Sequence, residues 1–487
     1  MNRLFCLALL LIGLSTAAHA QVRPLTLKDA IYRAQTNGPD ATIARLDHRQ
    51  ARASLDVVQA DVLPQVSLTG SAPGLERSII DIQQDDGSVR YVEQSRTFSR
   101  AEVQLQQALP WTGGRLSVAS GLSRVDQFGT QDFRQWQASP VTIGLSQPLF
   151  QYNELKWNRR VEPLRYRVAE RRLDADLAAV AVDVVEAYFD VYAAVVNRDI
   201  ADANVAVNDT IYGLSQGRYE IGRIAENELL QSELALLNAQ SERSQAAITL
   251  ERARRVLRQQ LDLPDTAAVP VDPPTDIPDL TIDPAAAVEY AARNRADFLD
   301  QRLNEVEARE AVARAKSQSG FSATVSAQFG LNQSASALGD AYSDPLSQQR
   351  FGVTFQMPLY RWGQGQARVA AAEARRERVA TAAEQERTAL EREVYIEALQ
   401  VQQLRRQVQI AATADTVATR RFDVARNRYT VGNISITDLF NAQREKDRAR
   451  REYIQTLRSF WLSYYRLRRL TLYNLVEDRP LQMPTAR

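Results

Sequence analysis

The chain has 487 residues, of which 45% are hydrophobic and 24% are charged, with 60 basic residues against 59 acidic ones. A net charge of +1 excludes the basic field with which proteins hold nucleic acid, because that binding rests on neutralising many phosphates. One cysteine and two histidines leave little material for thiolate, metal or general acid–base chemistry. The composition therefore predicts neither an enzyme nor a cofactor-binding protein.

The first twenty residues have the pattern of a secretory signal peptide. Arg3 supplies the positive start, residues 4–14 form the apolar core, and Ala18-His19-Ala20 is a cleavage site of the small-x-small type. The apolar core is well short of the roughly twenty residues that span a membrane. We predict a signal peptide over residues 1–20. Cys6 precedes the cleavage site, so the mature chain is expected to carry neither a lipid anchor nor a disulfide.

The mature chain reads as two copies of one unit. Residues 145–150 match residues 355–360, and residues 218–222 match residues 428–432, both at an offset of 210. Six of the 18 prolines fall between the copies, which excludes continuous helix there. The comparison predicts four segments: a first repeat over 21–263, a Pro-rich crossover over 264–284, a second repeat over 285–475 and a C-terminal tail over 476–487.

Each repeat is predicted to contain a long helical hairpin. The first spans residues 153–262 with its tip near 213–225, and the second spans residues 363–472 with its tip near 429–435. Residues 366–431 contain neither Gly nor Pro, which corresponds to roughly 100 Å of helix at 1.5 Å per residue. Helices of this length predict an elongated molecule rather than a globular one.

Strands are predicted near residues 65–150 and 321–360, where apolar side chains alternate with small or polar ones. This alternation fits a transmembrane β-barrel with lipid outside and water inside, and it fits a half-buried soluble sheet as well. An exported chain favours the barrel. At most six short segments qualify, and barrels of this class need eight or more strands, so several copies must combine. Residues 67–141 exceed their counterpart by roughly fifty residues and form either an extracellular loop or an added hairpin.

The signal peptide, the duplicated strand and helix unit, the Ala-rich helices and the Arg-Tyr-x-hydrophobic-Gly turns together resemble the TolC family of outer-membrane efflux proteins. The resemblance covers residues 25–475. It implies a mainly α fold with transmembrane β structure: a homotrimer in which each chain gives four strands to a twelve-stranded outer-membrane barrel in contact with lipid, and its helices to a periplasmic α-barrel. It further implies a passive exit duct with a periplasmic adaptor and an inner-membrane pump as partners. The alternative is an exported structural coiled coil or adhesin-like protein.

The resemblance also implies functional residues at the two helical tips. The residues expected to contact the adaptor are Tyr219, Gly222, Gly432 and Asn433, and the pore or gate residues are Asp438, Glu228 and Tyr429. Asp438 has a structural alternative, because Ser435 lies three residues before it in the pattern of a helix capping box. Ile434 and Asn441 replace an Arg and an Asp of the best-known family pattern, so closure of the gate could rest on packing instead of polar bonds.

Overall fold

The computed structural model describes residues 24–129, 132–279 and 282–484; the predicted signal peptide lies outside these ranges. The helices are α1 (Leu27–Asn37), α2 (Pro39–Ala60), α3 (Glu154–Glu220), α4 (Glu226–Gln260), α5 (Pro284–Asn294), α6 (Asp297–Ser319), α7 (Gln364–Thr430) and α8 (Ile436–Thr471). The strands are β1 (Leu25–Thr26), β2 (Gln65–Gln83), β3 (Val89–Leu109), β4 (Gly114–Phe128), β5 (Phe133–Leu149), β6 (Val271–Asp272), β7 (Ser322–Ala335), β8 (Leu346–Gln356), β9 (Tyr473–Asn474) and β10 (Arg479–Pro480). Across these ranges, no helix combines the length and the apolarity needed to cross a membrane.

One sheet contains the long strands. Its order is β2-β3-β4-β5-β7-β8, and every neighbouring pair is antiparallel. The expectation of four strands in each chain is therefore wrong, since the described part of the chain places six in this sheet. Within the described residues of the long stretch 67–141, β3 and β4 pair with each other and with the flanking strands, so the stretch contains an added hairpin.

The two faces of the sheet differ in polarity. On one face Val66, Leu105, Val118, Ile143 and Phe329 are paired directly across five neighbouring strands. The opposite, concave face is lined mainly by polar side chains, among them Gln104, Gln106, Arg115, Ser117, Thr142, Ser146, Ser326, Gln328 and Arg350. Because side chains alternate along each strand and the strands are paired in register, the sheet has one apolar face and one polar face.

The long helices pack as two antiparallel pairs, α3 with α4 and α7 with α8, and α3 also contacts α8. Small apolar side chains permit this close packing. One buried row on α3 consists of Val180, Val184, Ala187, Val191 and Ala194, and it belongs to the same core cluster as Leu457, Phe460 and Leu467 of α8. The core therefore lies between the helix pairs rather than in a globular centre.

The helices extend further toward the tips than the sequence suggested. Gly213 and Gly217 lie inside α3, so the first tip comprises residues 221–225 and not 213–225. The helix continues through both glycines because the buried side chains of Ile211 and Ser215 hold its inner face. The second tip comprises residues 431–435.

The described part of the Pro-rich crossover, up to residue 279, lies against the helices in an extended form. Its strand β6 pairs in parallel with β1. The hydroxyl of Tyr188 on α3 lies 2.7 Å from the carbonyl oxygens of both Leu25 and Asp272, and the indole of Trp461 donates to the carbonyl of Pro274 at 3.1 Å. The crossover thus ties the start of the first repeat to α3 and α8.

Candidate functional site

Both helical tips reverse the chain with the same backbone geometry. The φ angles of Gly222 and Gly432 are 72° and 84°, in the left-handed region that favours glycine. The Gly222 amide donates to the carbonyl of Tyr219 at 2.8 Å, and the Gly432 amide donates to the carbonyl of Tyr429 at 2.9 Å. In each tip the next amide donates to the carbonyl one residue further back, which completes a Schellman motif.

The two tips differ in their tyrosines. Tyr429 is only 3% exposed, whereas its counterpart Tyr219 is 41% exposed. Tyr429 belongs to an apolar cluster at the lower end of the helices, the tip cluster, whose buried members are Ile211, Phe422, Tyr429, Ile436, Leu439, Phe440 and Ala442. Within one chain the first tip therefore contributes its helix α3 to a packed contact, while Tyr219 remains available on the surface.

Arg218 links the two tips. Its Nη2 donates to the carbonyls of Tyr429 and Thr430 at 3.2 and 3.0 Å, and its guanidinium lies 5.1 Å from the centre of the Tyr429 ring. The Tyr429 hydroxyl lies 3.2 Å from Oγ of Ser215, a buried contact. The last carbonyls of a helix lack intrahelical partners and carry partial negative charge, so a cation from the neighbouring helix stabilises them.

This contact, the Arg218 latch, was not anticipated from the sequence. The repeat motif identifies Arg218 only as a landmark, and because Ile434 replaces the Arg of the best-known family pattern, the sequence offers no polar partner for Tyr429. Ile434 packs instead against the tip cluster. Asn441 accepts a hydrogen bond from Arg444 on its own helix and does not reach across. The structure thus holds the tips together both by polar bonds and by packing, with the polar partner supplied by α3.

The two candidate carboxylates occupy first turns of helices. Asp438 is exposed; its amide donates to Oγ of Ser435 at 3.1 Å, and the Ser435 hydroxyl donates to its Oδ2 at 2.8 Å. Glu228 is half-buried at the start of α4, where Ala225 provides no side-chain cap. Ser435 therefore caps α8, the Asp438 carboxylate accepts from the hydroxyl of that cap, and the exposed Asp438 side chain is open to solvent.

A buried polar network crosses from α3 to α8 above the tips. Asn204 donates to Oδ2 of Asp447 at 2.7 Å, and Gln443 donates to Oδ1 of Asn204 at 2.8 Å. Lys446 places its Nζ 3.3 Å from the other oxygen of Asp447. All three bonded side chains are more than nine-tenths buried. The sequence alone does not indicate this network, because its members resemble the ordinary polar residues of a solvent-exposed helix face.

The geometry is that of a long helical body with a two-faced sheet at one end and two hairpin tips in contact at the other. A family model described as outer membrane efflux protein matches residues 79–261 and 287–471. The chain belongs to the outer membrane efflux protein family. It is an outer-membrane efflux channel that extends into the periplasm, and the family is one of channels rather than enzymes. The alternative of an exported structural coiled coil is not supported.

Solved channels share this fold at low sequence identity. The Campylobacter jejuni outer membrane channel CmeC superposes with a TM-score of 0.68 at 15% identity, covering 91% of this chain and 85% of the channel. The Vibrio cholerae outer membrane protein VceC superposes with a TM-score of 0.64 at 15% identity, covering 91% of this chain and 96% of VceC. The open state of the Neisseria gonorrhoeae channel MtrE superposes with a TM-score of 0.58 at 15% identity, covering 93% of this chain and 90% of MtrE. A search of curated proteins finds no match.

Proposed function

We infer that the channel works as a homotrimer, a passive exit duct that receives its cargo from an inner-membrane pump through a periplasmic adaptor docked at the tips. The observation that carries this proposal is an exposed apolar seam on α7. Its members are spaced by seven residues and are 58–70% exposed: Ile410, Val417 and Val424 on α7, and Val431 directly after its last residue. A seven-residue apolar repeat on a long helix is typical of a surface that packs against another helix.

The first repeat indicates what covers the seam. At the offset of 210, Ile410, Val417 and Val424 correspond to Ile200, Val207 and Leu214 of α3. Those three side chains pack against α8 within the chain. The counterpart of α8 is α4, which carries exposed apolar side chains of its own: Leu230, Leu234 and Leu237. Packing α7 of one chain against α4 of the next repeats the internal interface and closes a ring.

The same repetition extends to the latch. The counterpart of Arg218 is Arg428, which is exposed, and the counterpart of Tyr429 is Tyr219, which is 41% exposed. In the ring, Arg428 of one protomer would stack on Tyr219 of the next and bond the last carbonyls of its α3. Three internal latches and three latches between protomers would then hold the tips shut. The tip glycines and Asn433 remain on the surface that faces an adaptor.

Three copies of each tip carboxylate would form charged rings at the narrow end. A ring of carboxylates attracts cations and repels anions. Asp438 is the stronger candidate for such a ring, because it is exposed and because its Ser435 bond occupies only one of its oxygens. Glu228 is the weaker candidate, since it is half-buried.

Two experiments test the proposal. Val417→Asp places a charge in the seam and should abolish trimers in detergent, whereas Thr419→Asp, exposed on another side of α7, should leave them intact; trimers that survive Val417→Asp would contradict the proposed interface. Planar-bilayer recording of the purified trimer tests conduction. A reconstituted Arg218→Ala trimer without measurable ion conductance would exclude a duct with this gate.

A further inference from the structure

The repeats show where this chain departs from its own internal pattern. Residues 66–67 correspond to 325–326, so β2 is the counterpart of β7, and residues 145–150 correspond to 355–360, so β5 is the counterpart of β8. In the second repeat these two strands are neighbours. In the first repeat β3 and β4 lie between them. The chain thus has four strands that the duplication accounts for and one inserted hairpin.

The inserted hairpin continues the apolar face of the strands on either side of it. Leu105 of β3 and Val118 of β4 stand in the same apolar row as Val66 and Ile143 of the flanking strands. On its other face the hairpin presents Gln104, Gln106, Arg115 and Ser117 to the concave side. A hairpin that served as a lid or plug would not lie in the barrel wall and would not need apolar side chains in the same row as those of the flanking strands. The hairpin therefore shares the lipid-facing band of the other strands.

The lower turn of the hairpin is fixed at the level where the strands meet the helices. Asn153, which caps α3, donates to the carbonyl of Pro110 at 2.9 Å, and Gln147 donates to the carbonyl of Thr112 at 3.1 Å. On the other side Gln107 donates to the carbonyl of Val62, between α2 and β2, at 2.8 Å. The turn is thus bonded to both flanking junctions. Beneath it the chain simply reverses over residues 110–113, without a helix of its own.

The edges of the sheet fit each other. Six antiparallel strands leave β2 and β8 running in opposite directions at the two edges. Side chains on the apolar face of the edge strands are strongly exposed, with Leu68 at 74% and Phe351 at 73%, whereas Leu145 of the interior strand β5 is at 36%. Unpaired strand edges are not tolerated in lipid. A second copy of this chain, supplying its β8 to the free edge of β2, satisfies both edges with the antiparallel pairing used throughout the sheet.

We propose that three copies close an eighteen-stranded barrel by pairing β2 of each protomer with β8 of the next. This inference rests on the proposed trimer. Barrel diameter grows roughly linearly with strand number, so the barrel is about one and a half times as wide as one of twelve strands. Each protomer joins its strands to helices at four junctions, through α2, α3, α6 and α7. Six strands in each protomer therefore stand above only four junctions with the helices, because the inserted hairpin adds two strands without adding a junction.

Cysteine pairs on the lumen face test the strand order. Cys6 is the only cysteine of the sequence and lies in the predicted signal peptide, so introduced pairs react without background. A short bis-maleimide that spans roughly 8 Å reaches direct and diagonal strand neighbours. Ser67→Cys with Gln104→Cys joins β2 to β3, and Ala119→Cys with Thr142→Cys joins β4 to β5; both pairs are directly opposed and should cross-link within one chain.

A third pair reports the competing arrangement. If β2 paired with β5 as β7 pairs with β8, Ser67 would face Thr142. In the proposed barrel two intervening strands separate them by roughly 14 Å, so Ser67→Cys with Thr142→Cys should not cross-link. Efficient cross-linking of this pair, with loss of the β2–β3 and β4–β5 products, would overturn the proposal. Thr324→Cys with Thr354→Cys, opposed in either arrangement, controls for reactivity.

Closure between protomers is tested with Ser67→Cys on β2 combined in turn with cysteines at Gln348, Arg350 and Thr354 on β8. Covalent trimers on a denaturing gel are expected for at least one register. A trimer that forms none of them, and that shows twelve strands by electron cryomicroscopy in lipid nanodiscs, contradicts the eighteen-stranded barrel while leaving the trimeric duct intact. Absence of any trimer would instead contradict the proposed function itself.

Discussion

Arg218 and Tyr429 join the two helical hairpins of the chain at their tips: the guanidinium of the first donates to the backbone carbonyl of the second at 3.2 Å and lies over its ring. The two residues belong to different repeats and are 211 positions apart. Hydrogen bonds from a charged donor contribute about 1.5–3 kcal/mol each. Bonds of this strength fit the gate proposed above, which a docked adaptor would open.

Removing the latch should open the channel. Arg218→Ala deletes two bonds to carbonyl oxygens, and a loss of about 2 kcal/mol in each latch favours the open tip roughly thirtyfold. We expect larger and more frequent conductance steps in planar bilayers. Arg223→Ala, which removes an exposed charge from the same tip, should leave the conductance unchanged. Equal effects of the two variants would mean that charge at the tip, rather than the latch, controls opening.

Neutralising Asp438 should change ion selectivity. Asp438→Asn retains a group that accepts the Ser435 bond but removes the charge of the proposed ring. The preference for cations should fall, and the reversal potential in a salt gradient should shift toward zero. Glu226→Gln neutralises another exposed carboxylate at a tip and serves as the control. An unchanged reversal potential for Asp438→Asn would remove this residue from the ion path.

The tip glycine and a helical glycine should respond oppositely to alanine. At Gly432 the left-handed backbone costs an L-residue about 1–2 kcal/mol, although nothing lies within 4 Å of an added Cβ. At Gly213, inside α3 and also in open space, alanine should add about 0.5–1 kcal/mol of stability. Thermal melts followed by circular dichroism measure both changes. We further expect Gly432→Ala to reduce efflux in cells while trimers persist, since adaptor contact depends on the shape of the tip.

Removing the buried network should lower the stability of the protein more than removing a similar bond nearer the surface. Asn204→Ala removes the hydrogen bond that Oδ2 of Asp447 accepts and the acceptor to which Gln443 donates, at about 1–3 kcal/mol per unsatisfied group, while Lys446 stays beside the other oxygen of Asp447. Asn197→Ala removes a single bond to Arg451 at a half-buried position of the same helix and should cost less than half as much. Melting temperatures of the two trimers provide the comparison. Similar values would indicate that water replaces Asn204 without loss.

Stability should rise on mild acidification through two aspartates of α3. Burial raises the pKa of Asp174 and of Asp176, although Arg171 and Arg172 oppose the shift. A pKa that is higher in the folded state than in the unfolded state gives a stabilisation that is complete below the unfolded pKa and is lost as pH rises through the folded pKa. The contribution of these two aspartates to the melting temperature should therefore increase as pH falls from about 7 toward the folded pKa values. The double variant Asp174→Asn, Asp176→Asn should be more stable at neutral pH and should flatten this dependence.

Several elements of the fold followed from local patterns. The absence of Gly and Pro over residues 366–431 predicted α7 within two residues at its beginning and one at its end. Alternation located parts of all six long strands, because the two-residue period is a property of each strand by itself. It could not decide what residues 67–141 form, since whether β3 and β4 join the sheet depends on cross-strand register.

At the tips, too, the sequence predicted the local backbone geometry but not the contacts between segments. The sequence identified Gly222 and Gly432, because a left-handed turn restricts residue choice locally. It could not identify Arg218 as the partner of Tyr429, nor distinguish a buried Tyr429 from an exposed Tyr219, although the two motifs are nearly identical. That difference arises from which neighbour each tip meets.

The sequence by itself determined the balanced charge, the two repeats, the long helices and the turns, since these depend on composition and on spacing along one segment. Only the tertiary structure decided that six strands share one sheet, that the latch comes from α3, and that α7 carries an uncovered seam. These features are contacts between segments up to about two hundred residues apart, and their energies depend on positions in space that no local pattern specifies.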